Sequence, residues 1–139
     1  SRTLLELTDR GRDYLEADDV AVEREGRGGV VHRYWQHRIR DLIEDMGWTA
    51  KLEMSDADVY VNMNGVELVI EVAMGDNQRE VDHVKKHLEK QFDAVWVVCR
   101  TKQIRDGLQE RLEQDDLQDD RVIFRIFRDF LNPDSFSFE

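Results

Sequence analysis

Apolar positions change period several times along the chain, and each change marks an element. Val31, Trp35, Ile39, Leu42, Ile43 and Met46 recur at three- and four-residue spacing over residues 30–46, which predicts an amphipathic helix stopped by Gly47. In WTAKLEM (48–54), Trp48, Ala50, Leu52 and Met54 alternate with Thr49, Lys51 and Glu53, the period of a strand. DADVYVNMNGVELVIEVA (56–73) carries the alternation through both sides of Asn64-Gly65, the pair that favours a two-residue hairpin turn. Asn77 and Glu80 stand at capping-box spacing before a helix that turns Val81, Val84, Leu88 and Phe92 inward. AVWVVC (94–99) is apolar throughout and rich in β-branched residues, as in a strand covered on both faces. Thr101 caps a further helix carrying Ile104, Leu108 and Leu112. RVIFRIF (121–127) is a last strand, RDFL at most one turn, and Pro133 opens a tail.

The expected order is helix, three antiparallel strands, helix, strand, helix, strand. The third and fourth strands are joined through a helix, so they run parallel by a right-handed crossover. The fold class is therefore α/β, a mixed sheet with helices on both faces. Ahead of it, LELTDRGRDYLEADD (5–19) reads as a short helix capped by Thr8, and LTDRGRDYL is similar to the closing turn of many winged-helix domains. Residues 20–29 end in a glycine-rich stretch and read as a linker. The expected organisation is an N-terminal helix and linker over 1–29, on that likeness the end of a preceding winged-helix-like domain, and one domain over 30–139. The chain opens on a serine, as a piece cut from a longer protein would.

At 139 residues, with 40% hydrophobic and 37% charged, the chain can bury one core but not two. One cysteine excludes an intramolecular disulfide and a Cys-based zinc cage. No apolar run approaches the roughly 18 residues of a membrane span, and no signal-peptide pattern opens the chain, so a cytoplasmic domain with no membrane partner is expected. The 31 acids and 20 bases give a formal charge of −11 at pH 7. Within each class, 18 Asp stand against 13 Glu and 15 Arg against 5 Lys, a balance similar to that of halophilic proteins. At low salt such a charge repels polyanions. In molar salt the Debye length is ~3 Å, so net charge does not exclude a nucleic-acid partner.

The charge is uneven. Arg24, Arg27, Arg33, Arg38 and Arg40 face a single acid, Glu25, whereas 115-DDLQDD-120 is a purely acidic loop. A basic island in such a chain asks for an anionic partner. Glycines ahead of a helix N-terminus expose N–H groups that suit phosphate. With Arg27 in that glycine-rich stretch, and Arg33, His37 and Arg40 on one helix face, the island forms an electrostatic footprint for a DNA backbone. An arginine-rich solvated face paired with this chain's own acids is the competing explanation. Trp35, Trp96 and Cys99 read as core residues.

A turn at Asn64-Gly65 makes cross-strand partners sum to 129, which sets Asp58 opposite Glu71. Alternation places Val59, Val61, Met63, Val66, Leu68, Ile70 and Val72 on one face and Asp58, Tyr60, Asn62, Glu67, Val69, Glu71 and Ala73 on the other. Opposed carboxylates ~5 Å apart destabilise a sheet, so a divalent cation, a shared proton or full exposure to water should compensate. Oxygen ligands of this kind suit Mg2+ or Mn2+.

A helix, a three-strand meander with Asp opening the second strand and Glu late in the third, then helix and strand, resembles the PD-(D/E)xK restriction-endonuclease-like superfamily over about residues 27–127. The resemblance implies a nuclease-fold domain acting on DNA, with Asp58 in DADVYV and Glu71 in ELVIEVA holding Mg2+ or Mn2+ for phosphodiester hydrolysis. The superfamily's lysine two positions after the Glu offsets charge at the attacked phosphate. That position here is Ala73, and Lys51 on the first strand is the leading substitute, ahead of Arg79, Lys85 and Lys86. His32 and Gln36 on the first helix, and Glu53 as a third acid, are accessory candidates. Three readings stand open: a metal-dependent deoxyribonuclease, a DNA-binding or assembly module that has lost cleavage, and an α/β interaction domain without nucleic acid. The resemblance also implies attachment to a motor ATPase, helicase or recombination protein, and allows a homodimer.

Overall fold

The computed structural model describes residues 29–131. The helix capped by Thr8, the winged-helix likeness, the linker, Arg24, Arg27 and the tail from Pro133 lie outside the described residues. Within them, α1 (Val30–Asp45) precedes β1 (Ala50–Met54), β2 (Ala57–Met63) and β3 (Val66–Ala73). Then follow α2 (Asn77–Glu89), β4 (Ala94–Cys99), α3 (Lys102–Gln114), β5 (Val122–Ile126) and a 3-10 turn (Phe127–Phe130). The described residues are thus α/β, with five strands among them in the order β1-β2-β3-β4-β5. β1, β2 and β3 pair antiparallel, while β4 runs parallel to both β3 and β5.

Asn64 and Gly65 take positive φ of 55° and 96°, the backbone of a tight hairpin turn, and Gly65 donates its N–H to Asn62 Oδ1. The β2–β3 ladder runs from Met63–Val66 to Val59–Ile70, the expected register, and Asp58 and Glu71 are the next positions along it.

Each face of the sheet has its own core. Val59, Val61, Leu68, Ile70, Val72, Trp96 and Val98 meet Val31, Trp35, Ile39 and Ile43 of α1. Phe127 closes this layer by stacking on Trp35 with ring centroids 4.4 Å apart. On the other face Tyr60, Val69, Ala73, Val95, Val97 and Cys99 pack against Val81 and Val84 of α2 and Leu108 and Leu112 of α3. β4 lies between β3 and β5 and is buried from Val95 to Cys99, which is why its sequence is apolar without alternation. Ile39 has no exposed surface, so Ile39→Val is expected to cost about 1 kcal/mol of stability by urea unfolding with an unchanged m-value.

Three local expectations need correction. α2 is capped by Asp76, whose Oδ1 accepts from Arg79 N–H at 3.2 Å, and not by Asn77. Glu80 consequently leaves the capping box; its Oε2 turns back to the N–H groups of Met74 (2.6 Å) and Gly75 (3.3 Å). Phe92 is buried but lies beyond the end of α2. Thr101 caps α3 as expected, accepting from Ile104 N–H at 3.2 Å.

Candidate functional site

Parallel strands open a crevice beyond their carboxyl ends, where helices on the two faces diverge. Here that end carries Ala73 of β3 and Cys99 of β4, and the β1–β2 turn folds over it. Met54 pairs with Ala57, so Ser55 and Asp56 alone make the turn, with φ of 58° and 59°. Glu53 before them is also left-handed, at φ 54°. Three such residues without a glycine store strain, which neighbouring side chains must hold. Buried Gln36 of α1 does so from one side: its Nε2 donates to Glu53 Oε1 and to the Asp58 carbonyl, both at 2.8 Å. Lys90 Nζ holds Asp56 Oδ2 at 2.7 Å from the other.

Asp58 and Glu71 are both buried at this end of the sheet. Asp58 Oδ2 accepts from Val72 N–H at 2.7 Å and lies 3.2 Å from His32 Nε2. Both oxygens of Glu71 meet histidines of α2: Oε2 lies 3.2 Å from His83 Nδ1 and Oε1 lies 2.5 Å from His87 Nε2. The like-charge conflict expected from the register is therefore met by imidazoles. Burial, reinforced by the Glu71 charge, pushes the Asp58 pKa up, and the His32 hydrogen bond only partly opposes it. Burial also works to raise Glu71, but hydrogen bonds from His83 and His87 outweigh it and hold the carboxyl below its ordinary value. Burial would lower His32, yet its bond to Asp58 and the charge there carry it upward. The Glu71 hydrogen bond raises His83.

A cavity of about 430 Å³ opens over these groups. Its walls are His32 from α1, Glu53, Asp56 and Asp58 from the first two strands and their turn, and Arg79, His83, Lys86 and His87 from α2. Arg79 and Lys86 form no ion pair among the described residues. In a chain with 31 acids, two unpaired cations at one concave site mark a place for an outside anion.

Of the residues singled out by sequence, Asp58, Glu71, His32, Gln36 and Glu53 converge here, as do Arg79 and Lys86, the less favoured substitutes for the missing lysine, while exposed Lys85 does not line the cavity. Lys51 is exposed on β1 opposite Tyr60 and does not line the cavity. Arg33 and His37 are exposed on α1, and Arg40 is half-buried against Asp41 (3.0 Å) and Glu44 (3.9 Å); none of the three lines the cavity. Sequence reasoning passed over His83 and His87. Their signal was a four-residue spacing beside the Val81–Val84 row, in a chain with four histidines.

Among the described residues no three His, Cys, Asp or Glu side chains come together to hold a metal ion, and both Glu71 oxygens are engaged by histidines. The described residues contain no helix long and apolar enough to cross a membrane. Compared with known proteins, the chain matches no family model, no curated protein and no solved structure.

Proposed function

We propose that this is a restriction-endonuclease-like domain that binds DNA as a module of a larger DNA-processing protein, gripping a backbone phosphate in the cavity. The observation that carries this reading is the unpaired Arg79 and Lys86 beside His83, above buried carboxylates already matched by histidines. Cations on one wall attract the phosphate, and His83, held toward its protonated form by Glu71, adds a charge-assisted donor. The exposed Arg33 and His37 on α1 supply a second stretch of backbone contact on the other face of the sheet.

Binding should be measured by fluorescence anisotropy with linear and branched DNA across a salt series. Arg79→Ala and Lys86→Ala are each expected to weaken binding and to reduce the slope of log K against log salt by about 1. Unchanged affinity and slope in the double variant would remove the cavity from the interface.

Metal-dependent hydrolysis is the second reading, favoured by the burial of Asp58 and Glu71 at one end of the sheet. Incubation with Mn2+ and plasmid DNA distinguishes the two. Cleavage that disappears in Asp58→Ala supports the enzyme, and binding without cleavage supports the module.

A further inference from the structure

We propose that the cavity over Asp58 and Glu71 receives a strand end of DNA, holding a terminal phosphomonoester rather than a phosphodiester within a continuous backbone. The inference rests on the phosphate-binding reading above and narrows what that site accepts. The cavity, at about 430 Å³, is larger than a bridging phosphate requires. It falls in the range of roughly 300–1,000 Å³ typical of sites that enclose a small ligand. A terminal nucleotide, phosphate and sugar together, is an occupant of that kind.

Charge matching points the same way. Arg79, His83 and Lys86 follow at four- and three-residue spacing on α2, so one face of the helix presents all three to the cavity. Arg79 is half-buried, and its Nε is buried without a hydrogen-bond partner among the described residues. A donor withdrawn from water and left unmatched is costly until a ligand accepts from it. A phosphomonoester brings about 1.5–2 negative charges at pH 7, whereas a diester brings a single one. The ion-unpaired Arg79 and Lys86 therefore match the monoester. The β1–β2 turn disfavours a backbone that continues. Asp56 there is neutralised by Lys90 at 2.7 Å, but the exposed Glu53 carboxylate meets only the neutral amide of Gln36, at 2.8 Å. Phosphates on both sides of a bound diester would have to pass that charge or leave around it. A strand end has a neighbouring phosphate on one side alone, so it seats its terminal group on α2 and leaves away from Glu53.

The test uses the full 139-residue chain and internally labelled single-stranded oligonucleotides of one sequence. They carry phosphate at one terminus, at the other, or at neither, and their binding is compared by fluorescence anisotropy. Binding about tenfold tighter for either phosphorylated form, with the advantage lost in Arg79→Ala/Lys86→Ala, supports the proposal. Glu53→Gln keeps an acceptor for Gln36 and removes the charge. It should tighten circular and hydroxyl-ended DNA by about threefold while changing phosphorylated ends less. Equal affinity for phosphorylated and hydroxyl-ended strands, still weakened by Arg79→Ala/Lys86→Ala, would overturn the inference and leave the phosphate-binding reading standing. If that double variant changes no affinity, the reading falls and the inference with it. Competition by a free deoxynucleoside monophosphate, as effective as by the unlabelled phosphorylated strand, would overturn it by making a loose nucleotide the occupant.

Discussion

Glu71→Ala is expected to cost about 3–5 kcal/mol of folding free energy, because it strips the acceptor from two histidines at a buried carboxylate. The loss should depend on pH. The Glu71 pKa is depressed in the folded chain, so its contribution is present above the ordinary value of 4.5 and fades as pH falls through the depressed one. The His83 pKa is raised, so its contribution is complete below 6.5 and fades as pH rises through the raised one. Both conditions hold together between 4.5 and 6.5. Urea unfolding near pH 5.5 should therefore show a larger penalty than unfolding near pH 9. A cost under about 1 kcal/mol, flat with pH, would mean that the histidines do not depend on Glu71.

Glu80→Gln should do the opposite and stabilise the protein at alkaline pH. Burial pushes the Glu80 carboxyl up to about 7, against the bonds it accepts from Gly75 and Met74, while the Asp76 charge adds to the rise. Its Oε1 is buried without a hydrogen-bond partner among the described residues. A carboxyl whose folded pKa exceeds its unfolded value favours the fold when protonated, so stability falls as pH climbs from 4.5 to about 7 and then levels off. The full difference corresponds to about 3 kcal/mol. The amide that replaces the carboxyl has no charge to desolvate, so the variant should exceed wild type by up to about 3 kcal/mol near pH 8 and by about 1 kcal/mol or less near pH 5. Equal wild-type and variant stability at both pH values would show that Glu80 ionises without cost, through a partner beyond the described residues.

These groups differ in how far they could be read from the chain. Asp58 and Glu71 were legible as neighbours because strand alternation and one Asn-Gly turn set a register that cannot slip by one residue without exposing Val59, Leu68 and Ile70. Glu80 was legible only as a helix-start residue. Its burial follows from the cap moving to Asp76, which rotates the carboxyl toward Met74 and Gly75. The strained turn at Glu53, Ser55 and Asp56 carried no glycine to announce it, and what holds it comes from Gln36 and Lys90, distant in sequence. Lys51 shows the same limit: alternation set its face of β1 but not its distance from the cavity, which the cations of α2 occupy instead.

By itself, the sequence determined the element order, the β2–β3 register, the buried central strand and the acid pair, since each follows from local periodicity and turn chemistry. Only the tertiary structure decided what surrounds that pair. Packing Val81 and Val84 of α2 against one face and Val31 and Trp35 of α1 against the other fixes how each helix is rotated. That rotation brings His32, Arg79, His83, Lys86 and His87 to the carboxyl end of the sheet, where imidazoles meet the two carboxylates. Helix rotation on a sheet is a long-range packing result, and no local pattern encodes it.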